Sequence, residues 1–432
     1  MVDIPKEKIK WSALSSGLRL VTVEMPNFYT VSAGLFAYVG SRFEKKQDVG
    51  ISHLIEHLLF KGSKKYSSKA ISEIIEGRGG FFNAYTAEEN SCFYFKTLQA
   101  SFFESLDVLI DFYTAPLFDP VEVDKEREVI IEEIHSYEDQ PSSYVEDLFS
   151  SVIWKNHSLG NLILGNEENI LRFTVEDIKN YFNKHYTSCN TVLAVAGCVT
   201  HEEVLSWLKN QEYRFCRGER NSFESLVVSQ CSPRVLIMHK DIEQCNIQLG
   251  VPTLGRFSQK QWALRLLSTI AGENMSSRLF QEIREKRGLA YNISSSVDFY
   301  YDVGMFTLQV GVDVEKIEVC LQESLKVLQE LATTTLLDDE LKRAKLFSVG
   351  QALQDMESTL SYMLWVGEKL LNNEIDFSTA EFCKNIETVT GQDVQCVAKE
   401  IFCTERLSLA LIGPYSASYG ENSSLVSSLK FS

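Results

Sequence analysis

The pattern of apolar residues starts twice along the chain, and this repetition restricts the fold more than any other feature of the sequence. In the first half, alternation of apolar and polar residues predicts strands over 18–23 and 31–37. In the second half, similar patterns predict strands over 235–238 and 246–251, followed by a long amphipathic helix. The polar stretch 217–222 between them has the composition of a linker. The sequence therefore predicts a duplicated α+β unit.

A short local match supports the duplication. Gly40–Glu44 and Gly255–Ser258 both contain glycine, arginine and phenylalanine in this order, between a predicted strand and a predicted helix. Coincidence is the alternative explanation for so short a match. The length of 432 residues fits two or three domains. We therefore predict an N-terminal domain over 1–215, a linker over 216–232 and a C-terminal domain over 233–432.

Composition and charge exclude several classes of protein. The chain has 42 basic and 59 acidic residues, a net charge of −17, which argues against a nucleic-acid partner because phosphate binding needs a basic face. The ten cysteines form no Cys-x-x-Cys pair, so the sequence predicts neither a thiolate metal site nor a disulfide framework. No apolar signal segment and no run of 18 uncharged apolar residues occurs, so we expect a cytoplasmic protein without membrane partners.

A predicted helix between Asp48 and Gly62 carries the strongest chemical signal. Asp48 is the predicted N-cap, and Gly62 marks the end of the helix. At 100° per residue, one apolar stripe contains Ile51, Leu54, Ile55 and Leu58. His53, Glu56 and His57 then fall on the opposite face. The two imidazoles and the carboxylate therefore lie close together.

Imidazoles four residues apart on a helix can bind one zinc ion, and a glutamate between them lies beside the position where water binds. His53 and His57 are thus candidate metal ligands, and Glu56 is the candidate general base. Their order, His-x-x-Glu-His, is the inverse of the common His-Glu-x-x-His motif of zinc proteases. The alternative is a pair of solvated histidines beside a surface glutamate.

A hydrolytic zinc site needs a third protein ligand, and a second predicted helix, 123–137, offers several acids. Glu126 and Glu133 lie seven residues apart and share the apolar face, whereas Glu128 and Glu132 point to a charged face. A carboxylate on an apolar face needs a cation or hydrogen bonds. We therefore predict that Glu133 is the third ligand and that Glu126 interacts with one of the ligands without binding the metal itself. The alternative is an ordinary solvated acidic helix.

These two segments, His53–Gly62 and Glu126–Glu133, resemble the metal-binding motifs of the pitrilysin/insulinase family of zinc metallopeptidases. The resemblance continues through Asn83–Thr86 and Met275–Tyr291 and spans nearly the whole chain. The length is similar to that of the short-chain branch, which contains mitochondrial processing peptidase and its bacterial relatives. The resemblance implies two homologous α+β domains, each with a mixed β-sheet packed with helices. Together the two domains would form half of a clam-shaped chamber.

The resemblance also implies a zinc metalloendopeptidase with one Zn²⁺ per chain. Substrates would be peptides or unfolded, presequence-like segments, and the acidic net charge would favour basic ones. Asn83 and Ala84 would bind the substrate backbone, and Arg284 and Tyr291 would also bind substrate. A homodimer is the expected partner arrangement, and a heterodimer is the alternative; a lasting monomer in analytical ultracentrifugation would contradict the homodimer.

Two other functions compete with this one. A non-catalytic structural or regulatory subunit of the same fold would be expected to lack at least one of His53, Glu56, His57 and Glu133, and this chain retains all four. A metal-storage protein would bind metal without hydrolysis. In the overlay of the two halves, Ser268, Ala271 and Gly272 replace the metal-site residues, so we expect no metal site in the second domain.

Overall fold

The computed structural model describes residues 8–414 and 429–431. The chain forms two compact units, and neither is continuous in sequence. The first unit contains the described residues up to 135 together with 161–224 and 353–379. The second contains 136–160, 225–352 and the described residues from 380 onward.

Two mixed β-sheets form the centres of the units. The strands of the first are β1 (Lys8–Ala13), β2 (Arg19–Glu24), β3 (Thr30–Ala37), β4 (Phe81–Thr86), β5 (Ser91–Leu98) and β6 (Thr191–Gly197). Those of the second are β7 (Arg234–His239), β8 (Cys245–Leu254), β9 (Ala290–Phe299), β10 (Val303–Val312) and β11 (Ser408–Gly413). The predicted strands 18–23, 31–37, 235–238 and 246–251 all lie within these elements or within one residue of them.

Fourteen α-helices occur in the described part of the chain. They are α1 (Ile51–Leu59), α2 (Ser68–Ile75), α3 (Phe102–Thr114), α4 (Pro120–Glu138), α5 (Pro141–Ile153), α6 (Glu167–Arg172), α7 (Val175–His185), α8 (His201–Lys209), α9 (Gln261–Ala271), α10 (Ile317–Thr333), α11 (Asp338–Asp355), α12 (Thr359–Leu371), α13 (Thr379–Thr388) and α14 (Gly391–Ile401). Among the described residues, none of the helices combines the length and apolar character needed to cross a membrane.

The two sheets share one topology, which supports the duplicated pattern seen in the sequence. The first has the order β1-β2-β6-β3-β5-β4, and the second has the order β7-β11-β8-β10-β9. In each sheet a single pair of neighbours is parallel, β2 with β6 and β7 with β11, and the other pairs are antiparallel. Without β1, the two orders are equivalent. The predicted α+β class with two similar units is confirmed.

Each sheet has a main core on one face and a helix from the other half of the chain on its second face. In the first unit, α1, α3 and α7 contribute to the main core, and α12 packs on the opposite face against Val21, Phe36 and Ala194. In the second unit, α9, α10 and α14 contribute to the main core, and α5 packs on the opposite face against Met305 and Ala410. Both sheets are therefore apolar on both faces.

This exchange of helices bears on the predicted domain division. The predicted linker 216–232 contains no helix or strand, and the boundary between compact units at Glu224 lies inside it. Segments 136–160 and 353–379, however, join the unit that is built mainly from the other half of the chain. The amphipathic pattern of a helix shows that it covers an apolar surface, but the pattern does not identify which sheet supplies that surface.

Candidate metal centre

The start of α1 is fixed by a buried carboxylate that reaches it from the preceding turn. Glu44 accepts hydrogen bonds from the backbone N–H groups of Gly50 and Ser52, each at 2.9 Å. Gly50, with a positive φ of 94°, occupies the N-cap position. The prediction that Asp48 is the N-cap is therefore wrong. A carboxylate that binds free N–H groups at a helix start replaces the usual side-chain cap.

Helix α1 buries its apolar stripe and carries the two histidines and the glutamate on its other side, as the sequence predicts. His53 is only 7% exposed, and Glu56 and His57 are partly exposed. The centroids of the two imidazole rings lie 4.7 Å apart. Helix α1 therefore presents two imidazoles and one carboxylate to the same region of the first unit.

Helix α4 brings two acids to this region. Glu126 is buried and lies on the same face as Ile130, whereas Glu133 is partly exposed. Glu128 and Glu132 are exposed, in agreement with the predicted phase of the helix. The apolar face is narrow, because Val129, the residue before buried Ile130, is 48% exposed.

Among the described residues, His53, His57 and Glu133 form the single group of three or more side chains that could hold a metal ion. One ligand atom from each side chain lies within 4.8 Å of the others. Glu133 Oε2 lies 3.4 Å from His57 Nε2 and 4.0 Å from His53 Nε2. Tetrahedral ligands at zinc bond lengths are about 3.3 Å apart, so small side-chain movements are sufficient to bring all three onto one ion.

Glu126 contacts Nδ1 of His57, the ring nitrogen other than the Nε2 atom that lies near Glu133. The Nδ1 and Glu126 Oε2 atoms lie 3.1 Å apart, and Lys61 Nζ lies 2.7 Å from Glu126 Oε1. Burial opposes the charge on Glu126, but hydrogen bonds from His57 and Lys61 outweigh it and lower the pKa of the carboxyl group. This arrangement directs Nε2 of His57 toward Glu133. Lys61 lies four residues after His57, a helical spacing that could have indicated this role from the sequence.

The protonation of the two histidines differs in a way that suits a cation. Burial lowers the pKa of His53 to about 4, so this ring is neutral and can act as a ligand. Burial also opposes charge on His57, but hydrogen bonds to Glu126 and Glu133 outweigh it and raise the pKa of this ring to about 9. The acids around His57 therefore stabilise a positive charge at this position, which a divalent metal ion would supply.

Glu56 lies beside this group and is bound to a neighbouring strand. Its Oε2 accepts a hydrogen bond of 2.6 Å from the Oγ1 hydroxyl of Thr86, the last residue of β4. Burial raises the pKa of Glu56 above its usual value, which makes the carboxylate a stronger proton acceptor. Thr86 belongs to the family-like segment Asn83–Thr86, but its contact with Glu56 was not predicted from the sequence.

Asn83 and Ala84 lie on β4, which forms one edge of the first sheet. The backbone N–H of Ala84 donates to Asn83 Oδ1 at 2.8 Å. This local bond is typical of an edge strand whose outward N–H group has no strand partner. Among the described strands, none pairs with this outer edge of β4, which has the geometry for an extended peptide to add as a further strand.

Arg284 and Tyr291 lie together in the second unit. Arg284 belongs to a π-helical segment, Phe280–Lys286, and its guanidinium carbon lies 4.7 Å from the centre of the Phe280 ring and 5.5 Å from that of Tyr291. Tyr291 is at the start of β9 and is 76% exposed. The pair thus presents a cation and an exposed aromatic ring side by side.

Comparison with protein families identifies matches over both halves of the chain. A family model described as "Insulinase (Peptidase family M16)" matches residues 19–167. A second, described as "Peptidase M16 inactive domain", matches residues 172–346. The described part of the second unit contains no group of three side chains that could hold a metal ion.

Relatives with similar sequences and structures cover almost the whole chain. An uncharacterized zinc protease from Streptomyces coelicolor is 34% identical over 94% of this chain and 90% of its own length. An uncharacterized zinc protease from Bacillus subtilis is 33% identical over 94% of this chain and 98% of its own length. A protease from Helicobacter pylori has a similar fold, with a TM-score of 0.88 at 23% identity, covering 94% of this chain and all of that one.

Proposed function

Because the chain belongs to the M16 (insulinase) family of peptidases, we propose that it is a zinc-dependent endopeptidase whose active site is formed by His53, His57, Glu133 and Glu56. The convergence of one ligand atom from each of His53, His57 and Glu133 within 4.8 Å is the observation that carries the proposal. A set of two imidazoles and one carboxylate is typical of catalytic zinc sites, which leave a coordination position open.

His53 and His57 would bind one Zn²⁺ per chain through Nε2, and Glu133 would bind it through its carboxylate. When bound, zinc acts as a Lewis acid that lowers the pKa of water and polarises a carbonyl group. Glu126 keeps the His57 ring in place through Nδ1, and Lys61 balances the charge of Glu126.

Glu56 would take the proton from the attacking water and pass it to the amine that leaves the cleaved peptide. Support comes from its place on α1, one residue before His57, and from the raised pKa that burial gives it. A raised pKa brings a carboxyl group closer to the range in which it can both accept and release a proton.

The substrates we propose are extended peptides or unfolded segments. The free edge of β4 at Asn83 and Ala84 offers backbone groups that recognise an extended chain with little regard to its sequence. Arg284 and Tyr291 offer a cation and a hydroxyl group, which could bind a substrate carbonyl or carboxylate. The net charge of −17 favours basic peptides.

The decisive experiment compares Glu56→Gln with the wild type in zinc content and in cleavage of a quenched fluorescent peptide. We expect the variant to keep its zinc and to lose at least about 10²-fold in kcat, because general-base catalysis contributes that much or more. Glu132→Gln, on the exposed side of α4, is the matched control and should retain activity.

Two outcomes would contradict the proposal. Equal turnover by Glu56→Gln would remove the role of Glu56. A wild-type chain that binds zinc but cleaves no peptide, alone or with added zinc, would favour the alternative of a non-catalytic subunit or a metal-binding protein.

A further inference from the structure

We propose that Thr86 is a positioning residue that holds the Glu56 carboxylate in the orientation needed to accept a proton. This inference rests on the proposed function of Glu56 and adds a residue to it. The Oγ1 hydroxyl of Thr86 donates to Glu56 Oε2 at 2.6 Å. Among the residues that the structure describes, the Glu56 carboxylate makes no other hydrogen bond, so Oε1 is available to a water molecule or a substrate.

The Thr86 side chain is itself held in place by the hairpin that β4 forms with β5. Thr86 pairs with Ser91, whose hydroxyl lies 3.0 Å from the carbonyl of Val39 and 3.4 Å from Thr86 Oγ1. The next residue, Ala87, packs tightly on the turn after β3, because a Cβ atom at Gly40 would lie 2.1 Å from the Ala87 carbonyl oxygen. The hydroxyl donor therefore comes from backbone that has little freedom to move.

A glutamate side chain has three rotatable bonds, and one fixed donor restricts all of them. With Oε2 bound to Thr86, the Glu56 carboxylate keeps one orientation, and Oε1 keeps its lone pairs free. A misplacement of about 1 Å at a reacting group can reduce a rate by about 10²-fold. Loss of the hydroxyl should therefore reduce kcat without affecting the metal ligands, which come from α1 and α4.

The test uses three variants. Thr86→Val removes the hydroxyl and keeps the shape, Thr86→Ser keeps the hydroxyl, and Thr97→Val is the matched control. Thr97 lies on β5, is 1% exposed, and its hydroxyl contacts only the neighbouring Leu98 carbonyl among the described residues. For each variant, kcat, KM, zinc content and the melting temperature are measured with the same peptide.

We expect Thr86→Val to lose about 10²-fold in kcat, with KM and zinc content unchanged, and Thr86→Ser to recover most of this loss. Thr97→Val should match the wild type. The affinity for a small hydroxamic acid, measured by calorimetry, gives a second result that does not depend on turnover. Such a compound binds zinc and donates a proton to the adjacent base, so Thr86→Val should weaken its binding and Thr97→Val should not.

A double variant separates this inference from the proposed function. In the Glu56→Gln background, Thr86→Val should cause no further loss, because the group that it positions has already been removed. If Glu56→Gln is inactive but Thr86→Val keeps full kcat, the role of Thr86 is wrong and the proposed function stands. If Glu56→Gln is fully active, the proposed function fails first. Equal losses in Thr86→Val and Thr86→Ser would show a packing role only.

Discussion

Replacement of Gly367 by alanine tests the exchange of helices between the two halves of the chain. Gly367 lies in α12, which covers the second face of the first sheet. An added Cβ atom would lie 2.2 Å from Cε2 and 2.5 Å from Cζ of Phe36, a ring that is fully buried on β3. Since carbon atoms pack at about 3.5–4.0 Å, the helix or the ring must move by more than about 1 Å.

Two opposing effects determine the magnitude. Overpacking of a buried site costs about 1–3 kcal/mol, and a displacement of this size belongs at the upper end. Alanine in a helix interior gains about 1 kcal/mol over glycine. We therefore expect Gly367→Ala to lose about 1–2 kcal/mol in the free energy of unfolding. For a domain of this size, each kcal/mol shifts the melting temperature by about 2–4 °C.

Gly350 provides the matched control. It lies in α11, and an added Cβ atom there would meet nothing within 4 Å. Gly350→Ala should therefore gain about 0.5–1 kcal/mol, which places the two variants about 2 kcal/mol apart. Urea unfolding and thermal melting of both variants measure this difference. If Gly367→Ala gained as much as Gly350→Ala, α12 would not pack closely on the first sheet.

Two further predictions concern buried charges in the first unit. Arg42→Met should lower the free energy of unfolding, measured in urea, by about 3–5 kcal/mol. Arg42 donates to buried Glu89 at 2.6 Å, and its replacement leaves that carboxylate without this ion pair. A loss below about 1 kcal/mol would contradict this prediction. Burial raises the pKa of Glu44 from 4.5 to about 7, so the folded protein holds the Glu44 proton more tightly than the unfolded chain does. The stability that the protonated carboxyl group contributes is present at low pH and is lost as pH rises through about 7. Wild type should therefore lose about 2–3 kcal/mol more than Glu44→Gln between pH 5 and pH 8 in urea unfolding, and parallel pH profiles for the two proteins would refute this shift.

Local patterns were sufficient to predict that the candidate metal ligands on α1 lie side by side. The spacing of His53 and His57 places both rings on one helix face whatever else the chain does, because the period of the helix is fixed by its backbone hydrogen bonds. The phase of α4 separated Glu126 and Glu133 from the exposed acids in the same way. The repeat of strand and helix patterns also predicted two similar α+β units.

Contacts between distant segments could not be predicted in this way. Helix α5 joins the second sheet and α12 joins the first, and nothing in either amphipathic pattern identifies its sheet. The cap of α1 comes from Glu44 rather than Asp48, and Thr86 meets Glu56 only because the end of β4 lies beside α1. Periodicity along the chain determines which face of an element is apolar or reactive, whereas the partner of that face depends on how the elements pack in three dimensions.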